Sequence, residues 1–166
     1  MVLLSAVATF AGGQSSSNDS GLAQKTQVRE YWTDPSTGLM WAGKDNGKDV
    51  NWHKSMKYCR NLRLAGYSDW RLASIDELEG IYDKNAFAPG LAGKGRPASW
   101  GVKGNLFLTG MEWSSTQRTD DRGRPNGLAW HFDFINGRRN DDDAGRFTGY
   151  NANYGKRALC VRGSAK

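Results

Sequence analysis

The chain combines 21 glycines with seven tryptophans in 166 residues, and this combination limits its possible folds more than any other feature. Glycine occurs at about twice its usual frequency of ~7%, and it allows the backbone conformations of tight turns. Aromatic side chains are scarce in disordered chains, so their abundance indicates a packed core. We therefore expect one domain with tight turns and irregular loops around a compact core, and not a helical bundle.

The beginning of the chain indicates export. Residues 2–11 form an apolar run that is too short to span a bilayer. Small residues near its end are typical of a secretory signal, although no basic residue precedes the run; the alternative is a buried strand or helix. Residues 12–24 are small and polar, as in a flexible linker. These features predict a secreted or cell-envelope protein with a signal peptide and linker over residues 1–27, a single domain over residues 28–163 and a tail over residues 164–166.

The two cysteines, Cys59 and Cys160, fit an exported chain, and their even number suggests one disulfide. Cys59 lies on the apolar stripe of a helix predicted over residues 51–64, with Asn51 as its N-cap, so it faces the core. A strand predicted over residues 158–162 carries Cys160 and can meet it there. The alternative is two buried free thiols. The sequence has no Cys/His cluster with metal-ligand spacing, so it does not predict a zinc site.

The predicted elements follow in the order hairpin, two helices, long loop and strands, which is typical of an α+β fold with an antiparallel sheet. The second helix begins with a capping box, in which Ser74 is followed three residues later by Glu77. The other elements are hairpin strands over residues 28–32 and 39–41, an irregular excursion over 84–104, short strands at 106–108 and 112–116, and an alternating strand over 128–135.

Five of the seven tryptophans can be predicted to be either exposed or buried in the core. Trp100 lies inside the irregular excursion, so it is the one expected to be exposed. Large aromatic side chains usually contribute most to a core. Four tryptophans are therefore predicted to anchor the core of this domain: Trp41, Trp70, Trp113 and Trp130.

Five separated motifs, in the same order, resemble those of one bacterial family. The motifs are Asp34-x-x-Thr37-Gly38-Leu39-Met40-Trp41; Trp52 with Tyr58-Cys59-x-x-Leu62; Gly66-Tyr67-x-Asp69-Trp70-Arg71-Leu72 with Glu77-Leu78; Trp113-Ser114-Ser115-Thr116; and Leu159-Cys160-Val161-Arg162-Gly163. Over residues 31–163 they make the chain similar to the Lcl C-terminal domain family, long catalogued as a domain of unknown function. Ala73 departs from the pattern, because the family usually has proline there.

The resemblance implies an α+β, C-type-lectin-like fold, with two helices packed on small antiparallel sheets and long irregular loops. In such folds the termini share a sheet, ligands bind on the irregular loops, and a disulfide commonly joins the first helix to the last strand, which matches Cys59 and Cys160. One family member is the tip of a collagen-like adhesin that binds sulfated polysaccharides. This chain has no Gly-X-Y repeat, so nothing implies a trimer driven by a collagen stalk.

Residues 136–157 are the predicted ligand-binding segment. The segment is rich in Asn, Asp, Gly, Arg and Tyr, much as antibody paratopes are rich in Tyr, Ser, Gly and Asn. It lies just before the last strand, where lectin-like folds place their ligand loops; an ordinary polar loop is the alternative. The predicted ligand-binding residues are Arg138, Arg139, Asn140, Arg146, Tyr150, Asn151, Asn153 and Tyr154.

The net charge of +6 favours polyanionic partners, whereas Asp141, Asp142 and Asp143 oppose a purely polyanionic site. We therefore expect an extracellular protein or an acidic polysaccharide as the ligand, and no specific nucleic acid. A second hypothesis is that a retroelement diversifies the segment, because residues 140–155 contain only the residue types that mutation of adenines in Asn codons produces. A third is a structural subunit of an envelope or extracellular assembly.

Catalysis is not predicted. His131 and Asp133 share one face of the strand over residues 128–135, so they are the candidates for a catalytic His–carboxylate pair. Ser114 and Ser115 are not surrounded by a nucleophile-elbow pattern.

No cofactor is predicted either. At Arg124 the chain has arginine where calcium-binding lectins have an acidic residue in their Glu-Pro-Asn loop. Asp141, Asp142 and Asp143 are weak metal candidates, because Ca²⁺ takes six to eight oxygen ligands with alternating spacing and three adjacent aspartates usually mark a solvated turn.

Overall fold

The computed structural model describes residues 29–145 and 155–164, so the predicted signal peptide and linker lie outside the described residues. No described helix is long and apolar enough to cross a membrane. A short 3-10 helix covers Lys103–Asn105. The other elements are β1 (Tyr31–Thr33), β2 (Met40–Ala42), α1 (Trp52–Asn61), β3 (Arg71–Leu72), α2 (Ile75–Gly80), β4 (Ala88–Ala92), β5 (Arg96–Trp100), β6 (Met111–Thr119), β7 (Pro125–Asp133), β8 (Arg138–Asp143), β9 (Lys156–Arg157) and β10 (Cys160–Arg162).

The described strands form three small sheets. The first joins the predicted N-terminal hairpin to the end of the chain in the order β1-β2-β10-β3, with Val161 opposite both Trp41 and Arg71. The second is the β4–β5 hairpin, and the third has the order β8-β7-β6-β9. Since β6 and β9 run parallel, the prediction of antiparallel sheets is wrong for that pair. The predicted mixed α+β architecture is confirmed.

Both helices begin at their predicted caps. The Asn51 side-chain oxygen accepts the N–H of Lys54 at 2.9 Å, which satisfies one free donor of the first turn of α1. In α2 the Ser74 hydroxyl accepts the N–H of Glu77 at 3.2 Å, and the Glu77 carboxylate accepts the N–H of Ser74 at 2.8 Å. This is the reciprocal pair of bonds that the capping-box pattern predicts. α1 ends at Asn61, earlier than predicted.

β7 separates two clusters of buried side chains. Alternate residues of a strand point to opposite faces, and here both faces are covered. Phe132 and Phe134 belong to one cluster, and Ala129 belongs to the other. The alternation predicted from the sequence is therefore present, with two buried faces instead of one.

The predicted tryptophan anchors are in the core. Trp41 and Trp113 are fully buried and Trp70 is nearly so. Trp130 is only partly buried and packs against the cluster that contains Phe132. These side chains position the first and third sheets on the helices.

Two predictions about residues 84–104 are wrong. The segment contains β4 and β5, and Trp100 is fully buried instead of exposed. Gly90 makes room for this indole, because a Cβ at that position would lie 2.6 Å from Cδ1 of Trp100. Pro89, Gly90 and Pro97 obscure the hairpin in the sequence, since proline and glycine are rare in strand interiors.

The predicted disulfide is present. It joins Cys59 of α1 to Cys160 of β10, whose Cα atoms are 5.3 Å apart although the residues are 101 positions apart in the sequence. Both cysteines are buried. Because β10 lies between β2 and β3, the bond fixes the first helix to the middle of the first sheet. The alternative of two free thiols is wrong.

Candidate functional site

Eight of the 22 residues of the predicted ligand-binding segment lie in strands and not in a loop. Arg138, Arg139 and Asn140 begin β8, which pairs with β7 in an antiparallel hairpin. The segment forms a strand despite its polar composition because β7 supplies a regular edge for pairing. The other predicted ligand-binding residues lie outside the described residues: Arg146, Tyr150, Asn151, Asn153 and Tyr154.

One of the three described candidates, Arg139, already has ionic partners, although it remains partly exposed. The Arg139 guanidinium pairs with Glu79 of α2 and lies 3.5 Å from the carboxylate of Asp76. It therefore already neutralises charge on the neighbouring helix. Arg138 and Asn140 are exposed at the same edge of the third sheet.

The three adjacent aspartates lie in β8 and not in a turn. Asp141 pairs with Arg118, and the Asp142 carboxylate accepts a bond from Lys156 Nζ at 2.6 Å. Successive strand side chains point to opposite faces, so Asp141 and Asp143 diverge from Asp142 and cannot converge on one ion. Within residues 29–145 and 155–164, no group of three or more His, Cys, Asp or Glu side chains could hold a metal.

Lys156 anchors one end of the segment over residues 146–154. Its side chain is buried, and its Nζ lies 4.9 Å from the centroid of the Trp113 ring in addition to its bond with Asp142. The Lys156 carbonyl accepts the N–H of Val50 at 3.0 Å. On the other side of the segment, the carbonyl of Ala144 accepts the N–H of Trp52 at 3.2 Å. The described residues on either side of positions 146–154 are thus bound to the body of the fold.

His131 and Asp133 contact different groups, so they do not form the candidate catalytic His–carboxylate pair. The Asp133 carboxylate accepts the N–H of Ile135 at 2.8 Å and a side-chain N–H of Asn136 at 2.9 Å. His131 is buried against Trp113, with ring centroids 5.7 Å apart. Burial, and then the charge of Lys156, lower the pKa of His131 to about 4. The imidazole is therefore neutral at pH 7.

The serines of the same region are also structural. Ser114 is fully buried, and its hydroxyl donates to the carbonyl of Trp130 at 2.9 Å. The N–H of Ser115 donates to the carbonyl of Ala73 at 2.7 Å. These contacts hold β6 against β7 and against the start of α2.

A surface of clustered, exposed cations lies on and beside α1, where we did not predict a site. The helix has no acidic residue, and its cations recur at the i, i+3 spacing that places side chains on neighbouring turns. We define the basic face by five exposed cations: Lys48, Lys54, Lys57, Arg60 and Arg63. The spacing from Lys54 to Arg63 is visible in the sequence and could have revealed this face.

The basic face borders a groove of about 440 Å³. Lys48 and Lys57 line it together with Tyr58 and Leu62, and the last two also line an adjoining groove of about 510 Å³. Phe107 forms part of the apolar floor of that second groove. The cations therefore lie beside two neighbouring grooves, which share Tyr58 and Leu62 and offer aromatic and aliphatic contact area.

Carboxylates of the same chain neutralise little of the charge on the basic face. Within the described part of the chain, Lys48, Lys57, Arg60 and Arg63 make no ion pair with a carboxylate. The Arg63 guanidinium instead donates to the carbonyl of Leu62 at 3.0 Å, near the end of α1. Exposed, unneutralised cations attract anionic ligands over about 8–10 Å at ordinary ionic strength.

The Lcl C-terminal domain family matches the chain over residues 30–162. The chain belongs to this family. No curated protein matches the chain. The match covers every strand and helix of this Lcl C-terminal domain, including α1 with its basic face and the residues that anchor both ends of the segment over 146–154.

Proposed function

We propose that this Lcl C-terminal domain is a secreted or surface-displayed, non-enzymatic module that binds an acidic polysaccharide on the basic face of α1. The observation that carries the proposal is the set of four described cations, Lys48, Lys57, Arg60 and Arg63, without carboxylate partners around one helix. Ammonium and guanidinium groups donate charge-assisted hydrogen bonds to sulfate and carboxylate, and guanidinium can do so with two parallel bonds.

Export is supported by the disulfide and by the apolar run over residues 2–11. Structural disulfides persist in oxidising compartments and are rare in the cytosol, and the bond between Cys59 and Cys160 encloses most of the domain. We also propose that the fold is C-type-lectin-like. The supporting features are the sheet that contains both β2 and β10, and the bond from the first helix to the last strand.

Binding to a sulfated polysaccharide should depend steeply on salt. We expect the domain to bind dextran sulfate at low ionic strength and to lose about 100-fold in affinity between about 50 and 200 mM salt, because the four cations without carboxylate partners release as many counterions. Isothermal titration calorimetry at several salt concentrations measures this slope. Unsulfated dextran of the same length is the matched control and should not bind. An affinity for dextran sulfate that does not change with salt contradicts the proposal.

A protein ligand on the segment over residues 146–154 is the second candidate function. The observation that favours it is the buried contact of Lys156 with Asp142, since a recognition segment with fixed ends loses less entropy on binding. Sequencing the flanking DNA for a reverse-transcriptase gene and a near-copy of these codons tests the retroelement version of this hypothesis.

Replacing residues 146–154 by a Gly/Ser linker of equal length distinguishes the two candidates. We expect the affinity for dextran sulfate to change less than threefold, because the basic face lies on another element. The melting temperature of the linker variant is the control for folding. If the variant folds and no longer binds, the segment and not α1 holds the ligand.

A further inference from the structure

The third sheet and the loop before α1 bury two carboxyl groups against each other. Glu112 of β6 is fully buried, and Asp45 of the loop between β2 and α1 is only 3% exposed. The Asp45 carboxylate bonds to Thr109, three residues before Glu112, and each of the two carboxyl groups shifts the pKa of the other, which places them side by side. Two buried carboxyl groups that lie side by side are not both ionised, because their repulsion adds to the cost of burying each charge.

The hydrogen bonds around the pair show which carboxyl is charged. Asp45 accepts the N–H of Gly47 at 2.7 Å and bonds from both the N–H and the hydroxyl of Thr109. The Nε–H of Arg157 donates in turn to the Thr109 hydroxyl at 2.8 Å. Asp45 therefore has the donor set of an ionised carboxylate.

Glu112 has the opposite surroundings. Neither of its carboxyl oxygens lies in hydrogen-bond geometry with an N–H or O–H of the described residues, and the backbone N–H of Leu159, which lowers its pKa, acts more weakly than burial and the charge of Asp45. A buried carboxylate that receives so little hydrogen bonding is strongly disfavoured. A neutral carboxylic acid in the same place needs only an acceptor, and the Asp45 carboxylate supplies one.

We propose that Glu112 is a neutral acid in the folded domain and donates its proton to Asp45, so that the pair is a one-proton lock that opens as the pH rises. The proton shared by the two carboxyl groups fastens the loop between β2 and α1 to β6. The same loop carries Lys48, so opening the lock also loosens one edge of the basic face. The inference does not depend on the proposed function, since it concerns only the protonation of the fold.

The titratable groups around the pair support this assignment. Burial, and then the charge of Asp45, raise the pKa of Glu112 well above its ordinary value. Burial also raises the pKa of Asp45. From α1, Tyr58 faces both carboxyls, and its own pKa is raised by burial first and by their charges second. From β9, Arg157 places a positive charge that interacts with Asp45.

The raised pKa of Glu112 gives a distinctive dependence of stability on pH. Unfolded Glu112 loses its proton near its ordinary pKa of 4.5, while the folded domain keeps it to higher pH. The folded state then binds more protons, so stability falls as the pH rises through this range. His131 acts in the opposite direction, but only between about 4 and 6.5. Above pH 6.5 the contribution of Glu112 is therefore observed without that of His131.

The first experiment measures urea unfolding from pH 6.5 to 9 for the wild-type domain and Glu112→Gln. Glutamine can donate to Asp45 but has no proton to lose. We expect the wild-type unfolding equilibrium constant to rise by up to tenfold per pH unit until Glu112 ionises, and the variant to show no such rise. His131→Gln is the matched buried control and should follow the wild type above pH 6.5. Parallel curves for wild type and Glu112→Gln overturn the proposal.

The second experiment needs no variant. The chain has only four glutamates, Glu30, Glu77, Glu79 and Glu112. Labelling their side-chain carboxyl carbons with ¹³C gives four NMR signals that can be followed as the pH changes. We expect the Glu112 signal to remain that of a neutral acid at pH 7, and the Glu77 signal to titrate below its ordinary range because Arg71 holds the pKa of that carboxyl down. Four signals that all titrate below pH 5.5 contradict the lock.

Discussion

The Cys59→Ala/Cys160→Ala double variant is expected to lose about 4–5 kcal/mol of unfolding free energy. The disulfide closes a loop of 101 residues, and in the chain-entropy model long loops restrict the unfolded chain most. For a domain of this size the loss corresponds to a fall of roughly 10–20 °C in melting temperature. Calorimetry of the oxidised wild-type domain and the double variant measures it.

The reduced wild-type domain is the control for side-chain packing. Both cysteines are buried, so alanine also removes two sulfur atoms from the core, whereas reduction leaves them in place. We expect reduction to account for most of the loss. If reduction lowers the unfolding free energy by less than 1 kcal/mol, the disulfide does not restrict the unfolded chain as proposed.

The correct sequence predictions depend on local chemistry. Asn51 and the pair Ser74 and Glu77 satisfy free donors within their own first turns, so their patterns identify helix starts without knowledge of the rest of the fold. Cys59 could be placed on the core side of α1 because the apolar stripe of a helix has a fixed period. Such features depend on few distant contacts.

The incorrect predictions concern segments whose structure depends on distant partners. Trp100 is buried because β4 and β5 pair and Gly90 leaves space beside the indole, and neither fact is visible in the local composition. The charged strand β8 is polar enough to be predicted as a loop, but β7 pairs with it over six residues, from Leu128 opposite Asp143 to Asp133 opposite Arg138. Strand formation here follows from pairing and not from intrinsic preference.

The predictions about the candidate site also divide into features set by local chemistry and features set by distant contacts. The content of Asn, Gly and Tyr predicts a ligand-binding site in residues 136–157. In the structure, however, the guanidinium of Arg139 pairs with Glu79 of the neighbouring α2. The basic face was not predicted, because the net charge of the whole chain does not show where its cations lie. Its significance depends on which cations lack carboxylate partners, and only the three-dimensional arrangement gives that information.

The Lys57→Gln/Arg60→Gln/Arg63→Gln triple variant is expected to lose roughly 100-fold in affinity for dextran sulfate at about 0.15 M salt. Each substitution removes one contact that releases a counterion, so the slope of log affinity against log salt should decrease by about three. Glutamine has a helix propensity close to that of lysine and arginine, so α1 should persist. Calorimetric titrations at several salt concentrations give both the affinity and the slope.

A second triple variant separates a site on α1 from the general effect of positive charge. Lys84, Arg96 and Arg122 are exposed and lie outside α1, so replacing them with glutamine lowers the net charge by the same amount. If the ligand binds the basic face, this control should lose less than threefold in affinity and keep the wild-type slope, because its contacts with the ligand are intact. If both variants lose affinity equally, binding depends on the net charge of the domain, and the proposed site on α1 is wrong.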